Sequence, residues 1–197
     1  MNSLPIPPLV PILIGINKYQ ELEELETAAG DADNFQKFLT KEFSIPKDQI
    51  TIMKDADATR DKIIDTLSSL QQSYQRNNAI LFFFSGYSGK MKSVPGGPGG
   101  CICPTDYRQT PGITDQELIE LFDSISKARG NNIVSNLNLH AEKNARILSR
   151  HLDCLSGEPV YLIHMGKSKF LRCYCTQRCD PNQGRRKVHQ IRYGSLA

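Results

Sequence analysis

The residues best equipped for chemistry are six cysteines (Cys101, Cys103, Cys154, Cys173, Cys175 and Cys179) and four histidines (His140, His151, His164 and His189). A thiolate can attack a carbonyl or hold a soft metal ion. Cys173-x-Cys175-x3-Cys179, with His164 or His189, has the donor types for zinc. Its spacing matches no standard knuckle, and Cys-x-Cys is tight for one tetrahedral ion, so no metal site is expected. Gly86-x-x-Gly89-Lys90 invites comparison with a phosphate-binding loop. Phe84 stands where that loop needs its first glycine, Met91 replaces the Ser or Thr, and Pro95 with its glycines denies it the following helix. Nucleotide binding is therefore not expected, and no cofactor is. Arg185-Arg186-Lys187 reads as a solvated run, with a nuclear address as the alternative.

The elements that must position these groups appear in a clear order through the first two-thirds of the chain. Ile12 to Ile16 is wholly apolar, as in a strand buried on both faces. Ala32, Phe35, Phe38, Leu39 and Phe43 follow at helical spacing, with Asp31 or Asp33 available as N-cap. Ile50 to Met53 alternates as a second strand, and Thr59 can cap a helix carrying Ile63, Leu67 and Leu70. Ala79 to Phe84 is the most apolar strand, ending in Ser85-Gly86-Tyr87-Ser88-Gly89, and Pro95 to Gly100 reads as a loop. Thr114 and Glu117 form a capping box, with Ile113 and Leu118 as the staple, for a helix burying Leu118, Leu121, Phe122 and Ile125. Such an alternation implies an α/β sandwich with a mainly parallel sheet, whose reactive groups gather at the carboxyl ends of the strands.

The pattern deteriorates after about Gly130. Asn132-Ile133-Val134 begins a strand that Ser135, Asn136 and Asn138 spoil. Leu139 to Leu155 is weakly helical, Val160 to Ile163 is strand-like, and the last thirty residues read as coil. The 197 residues carry a net charge of +3, distributed as −3 through residue 157 and +6 from Glu158 onward. That divides the chain into a domain over 1–157 and a basic, Cys-containing, poorly ordered tail over 158–197. A net charge this small suggests no nucleic-acid partner. No apolar run approaches the roughly 20 residues of a membrane helix, and the start lacks a cationic flank for export. The expectation is a soluble cytoplasmic protein, nuclear as an alternative, with reduced thiols.

The segments LIGINKYQ, LETAAGDADNFQKFL, Ile45 through Ala58-Thr59-Arg60, LFFFSGYSGK, ICPTDYR and ITDQELIELF resemble, in order, the caspase-like cysteine peptidases, and the metacaspase branch in particular. The resemblance implies a caspase-like three-layer sandwich whose C-terminal part is irregular or incomplete. It also implies an endopeptidase in which a Cys attacks the peptide carbonyl, a His serves as base and acid, and backbone N–H groups stabilise the oxyanion. The family His falls on Tyr87 and the following Gly on Ser88. A phenol of ordinary pKa about 10 is a poor base at neutral pH and cannot form the imidazolium that holds a thiolate.

The family's Asp-x-Cys-x-Ser-Gly turn follows its fourth strand, where Asn138, Leu139 and His140 stand in this chain. Further on, Asp153-Cys154-Leu155-Ser156-Gly157 contains Cys-x-Ser-Gly, making Cys154 the candidate nucleophile. Metacaspases cleave after Arg or Lys, and the resemblance assigns that side chain to Asp31, Ser85 and, with Cys154, Asp153; Asp31 could equally be an N-cap. His140 and His151 read as surface histidines. The region beyond the nucleophile is basic, so no calcium site is expected. Three functions compete: an active peptidase using Cys154, a catalytically impaired pseudo-peptidase binding basic peptides or a homologous peptidase, and a family sequence interrupted near Val134 by a retained intron or shifted frame.

Overall fold

The computed structural model describes residues 8–73, 75, 78–91, 99–130, 132–141, 160–165, 171–176 and 188–192. Leu9–Gly15 (β1) is apolar at nearly every position because both its faces are covered. It runs parallel to Thr51–Lys54 (β2) on one side and to Ala79–Met91 (β3) on the other. Pro11 is tolerated because pairing with β2 begins only at Ile12, so the missing N–H costs no rung there. Ile133–Ala141 (β6) continues the parallel sheet beyond β3. Gly99–Ile102 (β4) pairs antiparallel with the far end of β3 and with Ile113–Thr114 (β5). Val160–Met165 (β7) is parallel to β6, and Leu171–Thr176 (β8) and Val188–Arg192 (β9) add antiparallel strands, giving the order β2-β1-β3-β6-β7-β8-β9.

Helices cover both faces, as the expected three-layer sandwich requires. Ala28–Phe43 (α1) buries Ala32, Phe35 and Leu39 against Leu13, Leu81 and Phe83. Arg60–Ser73 (α2) and Asp115–Arg129 (α3) lie on the opposite face, where Ile63, Leu67, Leu118 and Phe122 meet Ile12, Ile14, Phe82 and Phe84. Successive side chains of β1 and β3 thus feed two separate cores. The Thr114–Glu117 capping box forms, and Glu117 also reaches back to the Arg60 guanidinium, tying α3 to the start of α2. Thr59 accepts from the Lys62 N–H at 3.4 Å, as expected of a cap.

Four readings of the sequence are corrected. Neither Asp31 nor Asp33 caps α1: the N-cap is Thr27, Asn17 Oδ1 accepts the Ala29 N–H at 2.8 Å, and Asp33 binds Lys54 at 2.9 Å. β3 does not stop at Phe84 but runs on through Ser85–Gly89 to Met91, because β6 supplies rungs through Ser88 and β4 from Ser88 onward. Gly99 and Gly100 belong to β4 rather than to a loop.

The fourth correction concerns β6. Ser135 and Asn136 are buried inside a nine-residue strand, carried there by continuous pairing with β3. Leu139 to Ala141 are the end of that strand and not the start of a helix. Residues 142–159, including the remainder of the expected helix, lie outside the described residues. The strand expected from Val160 is present, and β8 and β9 fall within the segment read as coil.

Candidate functional site

The site is built at the carboxyl ends of β1, β3 and β6. Gly15, the last residue of β1, lets α1 approach: a Cβ there would lie 2.5 Å from the Ala28 carbonyl oxygen and 2.8 Å from Ala32 Cβ. This contact sets the first turn of α1 directly over the strand ends, with Asp31 facing β3. Asp31 Oδ2 accepts hydrogen bonds from Ser85 Oγ and from Asn138 Nδ2, each at 2.9 Å. The Asn138 amide also donates to Ser85 Oγ at 3.3 Å. Ser85 is fully buried, and its carbonyl accepts the Ile16 N–H at 3.0 Å, so the cluster is anchored to β1 as well.

Ser85 and Asn138 are direct partners in the parallel register, and one side-chain step further Tyr87 is the partner of His140. By alternation His140 follows Asn138 along β6, while the Tyr87 ring packs against Tyr19 and the core beneath α2 and α3. His140 is half-buried, and its Nε2 has no hydrogen-bond partner among the described residues. Asn136, one step inward, is 1% exposed, and both its amide atoms also lack a partner there. The outer end of β3 is held by Tyr19 from the β1–α1 loop. The Tyr87 N–H donates to Tyr19 Oη at 2.8 Å, and the two rings meet edge to face at 5.1 Å. Gly86 leaves room for this bond, since a Cβ there would lie 2.5 Å from Tyr19 Oη. Burial pushes the Tyr19 phenol well above its ordinary range, keeping it a neutral acceptor.

Of the residues singled out in the sequence, Asp31 and Ser85 come together, and Tyr87 stands two residues further along β3 against Tyr19. Cys154 and Asp153 lie outside the described residues. Asn138 stands beside Asp31 and Ser85, and its amide brings a donor where an acid would bring a charge. His140 is corrected from a surface histidine to the strand partner of Tyr87. The signal that locates both is the two-residue alternation Asn136-Leu137-Asn138-Leu139-His140, with Leu137 and Leu139 packed on the opposite core. Tyr19 had no signal in the sequence, because its partner is distant along the chain. Among the described residues Cys101 and Cys103 are buried, and no group of metal-ligating side chains is found. No helix among them is long and apolar enough to cross a membrane.

Chemically, the cluster presents a carboxylate with two donors on Asp31 Oδ2 and none on Oδ1 from the described residues. Tyr87 and His140 stand at the described ends of β3 and β6, and the thiols of Cys101 and Cys103 are buried beside Gly89.

A solved structure, that of protein GSU0716 from Geobacter sulfurreducens, superposes with a TM-score of 0.62 over 88% of this chain and 76% of its own, at 14% identity, which speaks to the fold alone. Metacaspase-1B of Neurospora crassa is 27% identical over 117 residues, covering 54% of this chain and 28% of that protein. Metacaspase-1 of Schizosaccharomyces pombe is 28% identical over 121 residues, covering 56% and 28% respectively. The chain thus matches little more than a quarter of the length of these relatives. The family model described as metacaspase, peptidase C14 domain matches residues 11–134, more than half of the chain, and with the order of strands and helices around Asp31 and Ser85 it places this chain in the metacaspase family.

Proposed function

We propose that this chain is a catalytically impaired metacaspase-type protein that binds basic side chains of proteins or peptides without cleaving them. The observation that carries this is the pair of adjacent rungs between β3 and β6. The inner rung retains an acceptor cluster of Asp31, Ser85 and Asn138, while the outer rung sets Tyr87 opposite His140. In the family mechanism the outer rung holds the base and the thiol. A phenol and an imidazole supply neither a thiolate nor a covalent acyl carrier of the same kind. Removing one member of such a unit already costs several orders of magnitude in rate.

The test uses blocked fluorogenic peptides ending in Arg or Lys, together with uncleavable peptides of the same sequence. Saturable binding that Asp31→Ala abolishes, with no turnover above buffer, is the expected result. Turnover that disappears in Cys154→Ala would overturn the proposal and restore Cys154 as nucleophile. The binding partner in the cell is then a protein with an exposed basic residue or a homologous peptidase, in the cytoplasm or, as the alternative, the nucleus.

The end of the family match at Val134 favours a second reading, in which the sequence beyond that point interrupts an authentic metacaspase. Sequencing the mature transcript across codons 130 to 160 separates the two. A shorter message that restores an Asp-x-Cys-x-Ser-Gly turn supports the second reading, and a message matching this chain supports the first.

A further inference from the structure

The hydrogen-bond pattern within the cluster bears on which cation it prefers. A carboxylate offers about four lone-pair sites, two on each oxygen. Both sites of Asp31 Oδ2 are taken, one by Ser85 Oγ and one by Asn138 Nδ2. The open acceptors are Asp31 Oδ1 and Asn138 Oδ1, neither of which receives a hydrogen bond from the described residues. Both residues are half-buried, and neither Oδ1 is among the buried unpartnered atoms of the described residues. A guanidinium gains its advantage over an ammonium by laying two parallel N–H groups on both oxygens of one carboxylate. Asp31 cannot receive such a fork while Oδ2 is saturated. An ammonium is a compact point charge with three rotatable donors, and it can use one carboxylate oxygen and one amide oxygen without a planar match.

We infer that Asn138 is the specificity-determining residue of this pocket, and that by occupying Asp31 Oδ2 it turns the pocket toward lysine-type ammonium groups and away from arginine-type guanidinium groups. The inference rests on the proposed basic-side-chain pocket and says which member of that class it takes. Asn138→Ala removes the donor without adding charge, freeing one site on Oδ2. Asn138→Asp removes the donor and adds a second carboxylate, which a guanidinium bridges better than an ammonium does.

The experiment is calorimetric titration of the full chain with Nα-acetyl-lysine amide and Nα-acetyl-arginine amide at pH 7.5 and low salt, for the wild type, Asn138→Ala and Asn138→Asp. The wild type is expected to bind the lysine probe about fivefold tighter. Asn138→Ala should erase the preference and Asn138→Asp should reverse it. If Asn138→Asp fails to fold, Asn138→Ala decides alone, because it introduces no repulsion beside Asp31. An arginine preference in the wild type, or a lysine preference unchanged in the folded variants, overturns the role of Asn138 while leaving the pocket standing. Absence of binding by either probe to every variant overturns the pocket itself, and the inference with it.

Discussion

The junction of Gly86 and Tyr19 can be tested quantitatively, because two independent perturbations meet at one point. In Gly86→Ala the new Cβ would lie 2.5 Å from Tyr19 Oη and 2.9 Å from Phe84 Cζ, in a fully packed region. Overfilling of this kind costs about 2–3 kcal/mol. Tyr19→Phe keeps the ring and its contact with Tyr87 but removes the acceptor of the Tyr87 N–H, bonded at 2.8 Å. The Tyr87 N–H faces the buried Tyr19 side chain, so losing its acceptor costs about 1–2 kcal/mol. In the double variant the alanine methyl enters the space vacated by the hydroxyl, and the shorter of the two clashes vanishes. The double variant should therefore be more stable than the sum of the single effects by about 1 kcal/mol. Urea denaturation of the four proteins, read by fluorescence and circular dichroism with a common m-value, gives the coupling directly. Additivity within about 0.3 kcal/mol would refute the claim that Gly86 is required by Tyr19.

Other expectations follow from the same geometry. Gly15→Ala, with its Cβ 2.5 Å from a backbone oxygen of α1, should cost about 3 kcal/mol. It should also weaken binding of a lysine probe although it touches no member of the pocket, which titration of the folded fraction will reveal. Thr114→Ala breaks the capping box of α3 and should cost about 1 kcal/mol in urea denaturation while leaving probe binding unchanged. Burial raises the Tyr19 phenol above its unfolded value. The folded state thus binds this proton more tightly, and the associated stability, complete below the unfolded value of about 10, is lost as pH rises beyond it. Denaturation followed from pH 8 to 11 should show a steeper decline for the wild type than for Tyr19→Phe.

The sequence was most legible where local rules and tertiary demands agree. Thr114 and Glu117 mark the start of α3 because a capping box satisfies its partners within one turn, whatever packs around it. Ile12 to Ile14 and Phe82 to Phe84 betray strands covered on both faces, since only such strands are apolar at consecutive positions. Asp31 illustrates the opposite case. An acid near a helix start suggests a cap, yet the cap geometry is set by Thr27 and by Asn17 from a preceding loop, which leaves the Asp31 carboxylate for β3 and β6. Of β6 only the start at Ile133 and Val134 is legible, because apolarity is the usual mark of a buried strand. Its pairing with β3 brings Ser135 and Asn136 inside despite their side chains, and short windows such as Leu137 to Ala141 fit either a helix or a strand until a partner is known. Tyr19 and Asn138 acquire their roles only from residues far away in sequence, at Tyr87 and Asp31.

The central position of β1 has a consequence for the chain's synthesis. β1 is made before its two neighbours, β2 and β3, and β3 begins only at Ala79. At a translation rate of roughly 5–20 residues per second, the interval between the end of β1 and the emergence of β3 is several seconds. Throughout that interval a strand apolar on both faces has at most one short parallel partner and α1 to shield it. Association with a holdase, or with a second nascent chain on the same message, competes with folding during this window. Slowing translation ahead of codon 79 should therefore lower the yield of soluble protein more than the same pause placed after codon 91, where β3 is complete and β1 is enclosed.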